Sequence, residues 1–239
     1  MSDTMSTPAG TSTGAAVDEV ADTAALADIP PTPANEAVPA SARRERTRQR
    51  LLDAAAQVFA EVGLDAASVE AICERAGFTR GAFYSNFVSK DELFLELAGR
   101  VSDEKLSAVT ERVRELESAS ELSGSPGELV GRLLDVENDS RSGVLLLSEI
   151  RNRALRDATL AASYTRWEDA MTSRVADLIR DIVRASGLPL KLPPEDLAQM
   201  FLTTWETAAL RAAMDGLDDA ELCLAINARM RILAEVIAG

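Results

Sequence analysis

Histidine is absent from all 239 residues. That removes the commonest general base, the serine-histidine arrangement of hydrolases and every imidazole metal ligand. The only cysteines, Cys73 and Cys223, lie far apart and lack a C-x-x-C partner, so neither a zinc knuckle nor a disulfide framework is indicated and reduced thiols are expected. Aromatic residues make up only 4% of the chain, too few to favour a cage for a large planar cation. No run of about eighteen apolar residues occurs, and the first thirty lack the basic start and apolar core of a signal peptide. The expectation is a cytoplasmic protein without a membrane segment, a catalytic residue, a metal or a cofactor.

Positive charge is scarce as well. Lysine occurs only at Lys90, Lys105 and Lys191, and the formal net charge is −14, which by itself opposes binding to a polyanion. The distribution reverses that inference. Residues 1–40 contain no Lys or Arg, whereas Arg43, Arg44, Arg46, Arg48 and Arg50 follow within ten residues against Glu45 alone. Cations concentrated at one place are the footprint of a nucleic-acid contact.

The first forty residues are rich in Ser, Thr, Ala and Pro, carry six acidic side chains and read as a disordered acidic tail, with at most a short helix over Ala15 to Leu26. From Arg43 the pattern turns helical. Leu51, Leu52, Ala55, Val58, Phe59 and Val62 follow helical spacing up to a stop at Gly63. Ser68 can cap a second helix, Val69 to Ala76, in which Ile72, Cys73 and Ala76 face inward. Gly77 then permits a left-handed turn, and Thr79 can cap a short third helix, Arg80 to about Asn86. Ser89 and Glu92 form a capping box before a long fourth helix to about Glu117. After a Gly/Ser/Pro break at 123–127, further helical segments are expected near Glu128 to Glu137, Val144 to Leu155, Asp157 to Ser186, Pro194 to Asp215 and Asp218 to Ile237. No run shows strand-like alternation.

Two helices joined by a glycine-containing turn, the second short and polar on one side, form a unit that can place a recognition helix in the DNA major groove. The stretch TRQRLLDAAAQVFAEVGLDAASVEAICERAGFTRGAFYSNFVSKDELFLEL resembles the DNA-binding domain of the TetR family of regulators. Ala54, Phe59, Gly63, Ile72, Ala76, Gly77, Gly81, Tyr84, Phe87, Lys90 and Leu93 carry the likeness. Asn86 stands where that family usually has histidine, and Ser68 where it has threonine.

Arg80 and Gly81 are the candidates for reading bases, since an arginine can fork onto a guanine edge and a glycine lets the backbone come close. Ser68, Thr79, Tyr84 and Lys90 are suited to phosphate oxygens, with Asn86 offering an amide and Arg46 and Arg48 offering charge. Phe78, Phe83 and Phe87 are assigned to the core.

The remaining helices carry no motif. The resemblance implies an enclosed effector pocket and a homodimer made by the last two helices, on stripes that include Ala209 and Ile226. Tyr164, Trp167, Met171 and Trp205 are the ligand-binding candidates. Glu149 and Glu206 sit in apolar contexts, where salt bridges to neighbouring arginines outweigh contact with a cationic ligand. The expected architecture is all-α: a tail over 1–40, a three-helix helix-turn-helix domain over 41–88, and a helical ligand-binding and dimerisation domain over 89–239 that starts with a connecting helix, 89–117. The expected function is a repressor of transcription that binds double-stranded operator DNA as a homodimer and is released by an unknown small-molecule effector. Two alternatives remain: a helical enzyme acting on a hydrophobic small molecule through carboxylates such as Glu149 and Glu206, and an architectural DNA-binding module.

Overall fold

The computed structural model describes residues 40–135 and 139–238. The acidic segment and the helix considered over Ala15 to Leu26 lie outside the described residues. Among the described residues the chain is all helix: α1 (Ala40–Ala66), α2 (Val69–Ala76), α3 (Arg80–Tyr84), α4 (Lys90–Ser118), α5 (Pro126–Leu133), α6 (Arg141–Ala154), α7 (Ala158–Ser186), α8 (Pro194–Met214) and α9 (Asp219–Ala238).

The caps set these boundaries. Ser68 Oγ accepts Ala71 N–H at 3.1 Å to start α2, and Thr79 Oγ1 accepts Ala82 N–H at 3.3 Å to start α3. Gly77, at φ +70°, closes α2 while Phe78 N–H reaches back to Cys73 C=O at 2.9 Å, so the chain turns sharply between the two helices. At α4, Ser89 Oγ caps Glu92 N–H, but the Glu92 carboxylate accepts from Val88 N–H rather than from Ser89, one residue earlier than a capping box requires. A full capping box occurs instead at Ser125 and Glu128. It starts α5 at Pro126, two residues before the expected position. Gly63, the expected stop, is non-helical at φ +76° and ψ 171°, but a last turn follows it and α1 runs on to Ala66.

Among the described residues three clusters form the core. The first centres on Leu51, Phe59, Ile72, Phe83, Phe87 and Phe94, and continues through Leu146, Ile150 and Tyr164, so the first four helices share packing with α6 and α7. Phe83 and Phe87 are buried, as their spacing indicated, whereas Phe78 packs at the margin beneath the Arg50 guanidinium, 4.6 Å from its ring centre. The second cluster joins α8 and α9 through Ala209, Ala212, Leu222 and Ile226. The third joins the end of α4 to α5 and α7.

Burial corrects one expectation. Ala209 and Ile226 are 0% exposed, so the Ala-rich stripes pack α8 against α9 within the chain. The apolar face left in solvent is another one. Leu224, Ala228, Ile232 and Val236 recur every fourth residue along α9 and are all exposed, with Met214 exposed at the end of α8.

Candidate nucleic-acid interface and interior cavity

Phe83 anchors α3 from within, and the opposite side of this short helix faces solvent. Thr79, Arg80, Gly81 and Tyr84 are all exposed there, and Ser68 is exposed at the start of α2. The Arg80 guanidinium lies 2.9 Å from Glu70 and 6.0 Å from the Tyr84 ring centre. Its pKa is raised by the hydrogen bond to Tyr84 and by the Glu70 charge. A solvent-exposed pair of this kind holds weakly, so Arg80 is available to a stronger bidentate acceptor. Nothing among the described residues requires glycine at 81. A Cβ there meets only Thr79 Oγ1, at an ordinary 3.7 Å, and φ is not positive. Its openness is therefore directed outward.

Other proposed contacts are turned inward. Arg48 donates to the Glu96 carboxylate and to Asn86 C=O, and lies 4.4 Å above the Phe87 ring, so it fastens α1 to the segment after α3. Its charge is answered within the chain, which removes the reason for assigning it to phosphate. Arg50 likewise donates to Ala76 C=O at 2.6 Å, at the C-terminus of α2 where a cation is favoured. Arg46 is exposed and has only a 3.4 Å contact to Ala42 C=O one turn earlier. Asn86 is buried. Its amide donates to Ala82 C=O at 2.8 Å, so it closes α3 from the inner side. Lys90 is half-buried and donates to Leu64 C=O at 2.9 Å; burial and the Arg153 charge lower its pKa.

Two side chains of α6 reach the same corner. Glu149 accepts Leu64 N–H at 2.9 Å, just after the Gly63 kink, instead of pairing with an arginine. Arg153 bridges Asp65 and Asp91, at the ends of α1 and the start of α4. Glu206 does pair with Arg151.

A cavity of about 270 Å³ lies among α4 to α9. Trp167, Met171 and Trp205 line it, as the sequence suggested, but Tyr164 does not. The Tyr164 ring packs in the first core cluster and its hydroxyl accepts from Arg151 Nε at 3.2 Å. Glu149 and Glu206 are also absent from the lining. Sequence reasoning missed Lys105 and Asp139, the only charged groups among the described lining residues. Lys105 Nζ donates to Asp139 Oδ1 at 2.5 Å and lies 4.7 Å from the Trp205 ring centre, while Trp205 Nε1 donates to the same carboxylate oxygen at 3.1 Å. Burial lowers the Lys105 pKa, and Asp139 works against that. The partners are separated by 34 positions, so no local pattern marks them. Both cysteines are buried and unbridged, with thiol pKa values pushed up by burial. Among the described residues no group of side chains suits a metal, and no helix is long and apolar enough to cross a membrane.

Residues 51–97 match the family described as bacterial regulatory proteins, tetR family. The chain is 33% identical over 146 residues to the HTH-type transcriptional activator FasR of Mycolicibacterium smegmatis, covering 61% of this chain and 63% of that one. It is 25% identical over 135 residues to the HTH-type transcriptional regulator UidR of Escherichia coli, covering 56% and 65%. The match therefore spans less than two thirds of either relative. A putative TetR-family regulator from Mesorhizobium loti superposes with a TM-score of 0.61 at 20% identity, covering 82% of this chain and 99% of that one. The TetR-family repressor FadR of Thermus thermophilus, solved in complex with lauroyl-CoA, gives 0.55 at 20% identity, covering 78% and 92%. With its helix-turn-helix formed by α2 and α3 and, among the described residues, helices alone beyond it, the chain carries over residues 51–97 a domain of the bacterial regulatory proteins, tetR family.

Proposed function

We propose that this chain is a dimeric transcriptional repressor that binds operator DNA through α3 and releases it when a small molecule enters the cavity. The observation that carries the reading is the solvent-facing turn Thr79 to Tyr84, which presents an arginine and an internally unneeded glycine on a helix fixed from behind by Phe83. Residues 41–88 then read DNA, and 89–239 sense the effector and dimerise. Arg80 and Gly81 address the bases. Ser68, Thr79, Tyr84 and Arg46 address the backbone, and Lys90 joins them if its carbonyl contacts rearrange on binding; Arg48 and Asn86 support the domain from inside.

Dimerisation is assigned to the exposed stripe Leu224, Ala228, Ile232 and Val236, because an uncovered apolar face along α9 calls for a partner and a two-fold axis sets two recognition helices about 34–36 Å apart. An effector shifts the balance only if it binds the DNA-incompetent arrangement better. Helix α6 is placed to transmit that preference, since it lines the cavity at Val144 and Leu147 and holds the α1–α2 corner through Glu149 and Arg153. The reading is supported by the relatives' names, which include an activator as well as a repressor, and by the ligand in the Thermus thermophilus protein.

Selecting bound duplexes from random DNA tests it, followed by Arg80→Ala on the selected site. Loss of about 1–3 kcal/mol of discrimination between selected and scrambled duplexes is expected. Unchanged preference would remove Arg80 from the interface, and no selectable site would remove the function.

A further inference from the structure

The cavity is apolar almost throughout. Val109, Leu133, Val175, Leu178, Ile182 and Phe201 are typical of its walls, and Ser102 and Ser140 are the only hydroxyls among its described residues. Among the described residues one ammonium, Lys105, and one carboxylate, Asp139, project into this surface, bonded to each other and backed by the Trp205 N–H. From this combination we infer that the effector is an uncharged, mainly aliphatic molecule of medium length with a single acceptor oxygen, held by the ammonium of Lys105. The inference rests on the proposal that the cavity is the effector site, and it specifies the chemistry of that site.

Charge balance decides the class. The pair is neutral as it stands, with the Asp139 side chain only 6% exposed. An anionic head drawn to Lys105 would separate it from Asp139 and leave a carboxylate among apolar groups with one indole donor. A cationic head would displace Lys105 or face it. Either event buries an unanswered charge. A neutral oxygen avoids both. Lys105 has three N–H donors; Asp139 takes two, and among the described residues the third has no protein acceptor. An alcohol, ether or ester oxygen can accept it while the ion pair stays closed.

The size follows from the volume. An engineered apolar cavity of about 150 Å³ takes benzene, so 270 Å³ accommodates roughly ten to twelve non-hydrogen atoms. Walls that are aliphatic except at Trp167, Phe201 and Trp205 favour a flexible chain over a flat ring system.

Three probes of one chain length, 1-decanol, decanoate and decylammonium, separate the possibilities. Trp167 and Trp205, the only tryptophans, both line the cavity and report binding by fluorescence on the full chain. Decanol is expected to bind, with each ion weaker by at least about tenfold, the factor that 1.4 kcal/mol of uncompensated charge burial carries. Val175→Phe, which fills the cavity, should abolish the decanol signal while thermal unfolding stays cooperative. The double variant Lys105→Met/Asp139→Asn removes the donor without stranding a charge, and should weaken decanol by about three- to tenfold, the worth of one hydrogen bond.

Tighter binding of decanoate than decanol, with the advantage lost on Lys105→Met, would overturn the neutral assignment in favour of an anion. Tighter decylammonium would do so in favour of a cation. Both results leave the effector-site reading intact. Binding that survives Val175→Phe, or absence of binding by all three probes, overturns the inference itself, and whether any other compound releases DNA then decides the effector reading separately.

Discussion

The half of the molecule that holds α3 and the half that encloses the cavity are built on opposite packing rules. Around Phe83 the core is closed by interlocked aromatic rings, with Phe83 and Phe87 centred 5.7 Å apart and Phe59 and Phe94 6.1 Å apart. Around Trp205 the helices are longer and leave a 270 Å³ void. Dense packing suits a surface that must keep one shape, because tightly packed interiors transmit strain instead of absorbing it. A void with an ion pair on its wall suits a surface that answers to occupancy. Rigidity and responsiveness are thus divided between the two halves, with α6 touching both.

Truncation should expose that division most strongly. Phe83→Ala removes a fully buried ring and is expected to cost about 3–5 kcal/mol by denaturant unfolding. Leu178→Ala only enlarges an existing void, whose lining already lacks contacts on one side, and should cost less than about 2 kcal/mol. Equal losses would mean that the cavity half is no looser than the reading half.

The two faces of α9 allow a second test. Aspartate in place of Ile226, which is fully buried, strands a charge in the α8–α9 core and should prevent cooperative folding or cost more than about 3 kcal/mol. Aspartate in place of Ile232, 58% exposed, should leave helicity and unfolding nearly unchanged and yield a monomer by sedimentation. A dimeric Ile232→Asp chain would move the interface off this stripe.

Two glycines of the DNA-reading half contrast in the same way. Gly63→Ala forces a side chain into φ +76°, ψ 171°, a region essentially reserved for glycine, at about 1–3 kcal/mol. Gly81→Ala meets no such strain and should leave stability unchanged or raise it by up to about 1 kcal/mol, as alanine does in a helix. Operator affinity should nonetheless fall, because the added methyl stands where the backbone approaches DNA. Unimpaired binding by Gly81→Ala would show that α3 docks through its side chains alone.

These halves were unequally legible in the sequence. Helix positions, the caps at Ser68 and Thr79, and the Phe83 and Phe87 anchors follow from local rules, because capping and helical periodicity act within a few residues. The cavity does not. Trp167, Met171 and Trp205 were recognisable as bulky groups in apolar segments, but Tyr164 looks the same by that measure and points into the core beside Arg151. Lys105 comes from α4 and Asp139 from the segment before α6, 34 positions on, and the choice between Ala209 and Leu224 as inner or outer residues depends on how α8 rests on α9. Arg48 shows the same limit at short range. In sequence it belongs to a cationic run, and only the fold brings Glu96 to it.

That arginine run yields the smallest and most discriminating measurement. Each phosphate neutralised contributes about 0.9 to the slope of log K against log salt, so the slope counts the cations that touch DNA. Replacing exposed Arg44 and Arg46 by glutamine should flatten the slope by up to about 1.8, the sum of two contacts, with stability little changed because their 3.4 Å contacts to Ser85 and Ala42 carbonyls are weak. Arg48→Gln should do the reverse. It breaks the link to Glu96 and to Asn86 C=O, lowering stability while the slope stays put. Removing residues 1–40, which hold no Lys or Arg, should also leave the slope unchanged and should raise affinity slightly, since six negative charges are taken off a chain that binds a polyanion. A flatter slope with Arg48→Gln, at unchanged stability, would return that residue to the DNA surface and erase the division within the run.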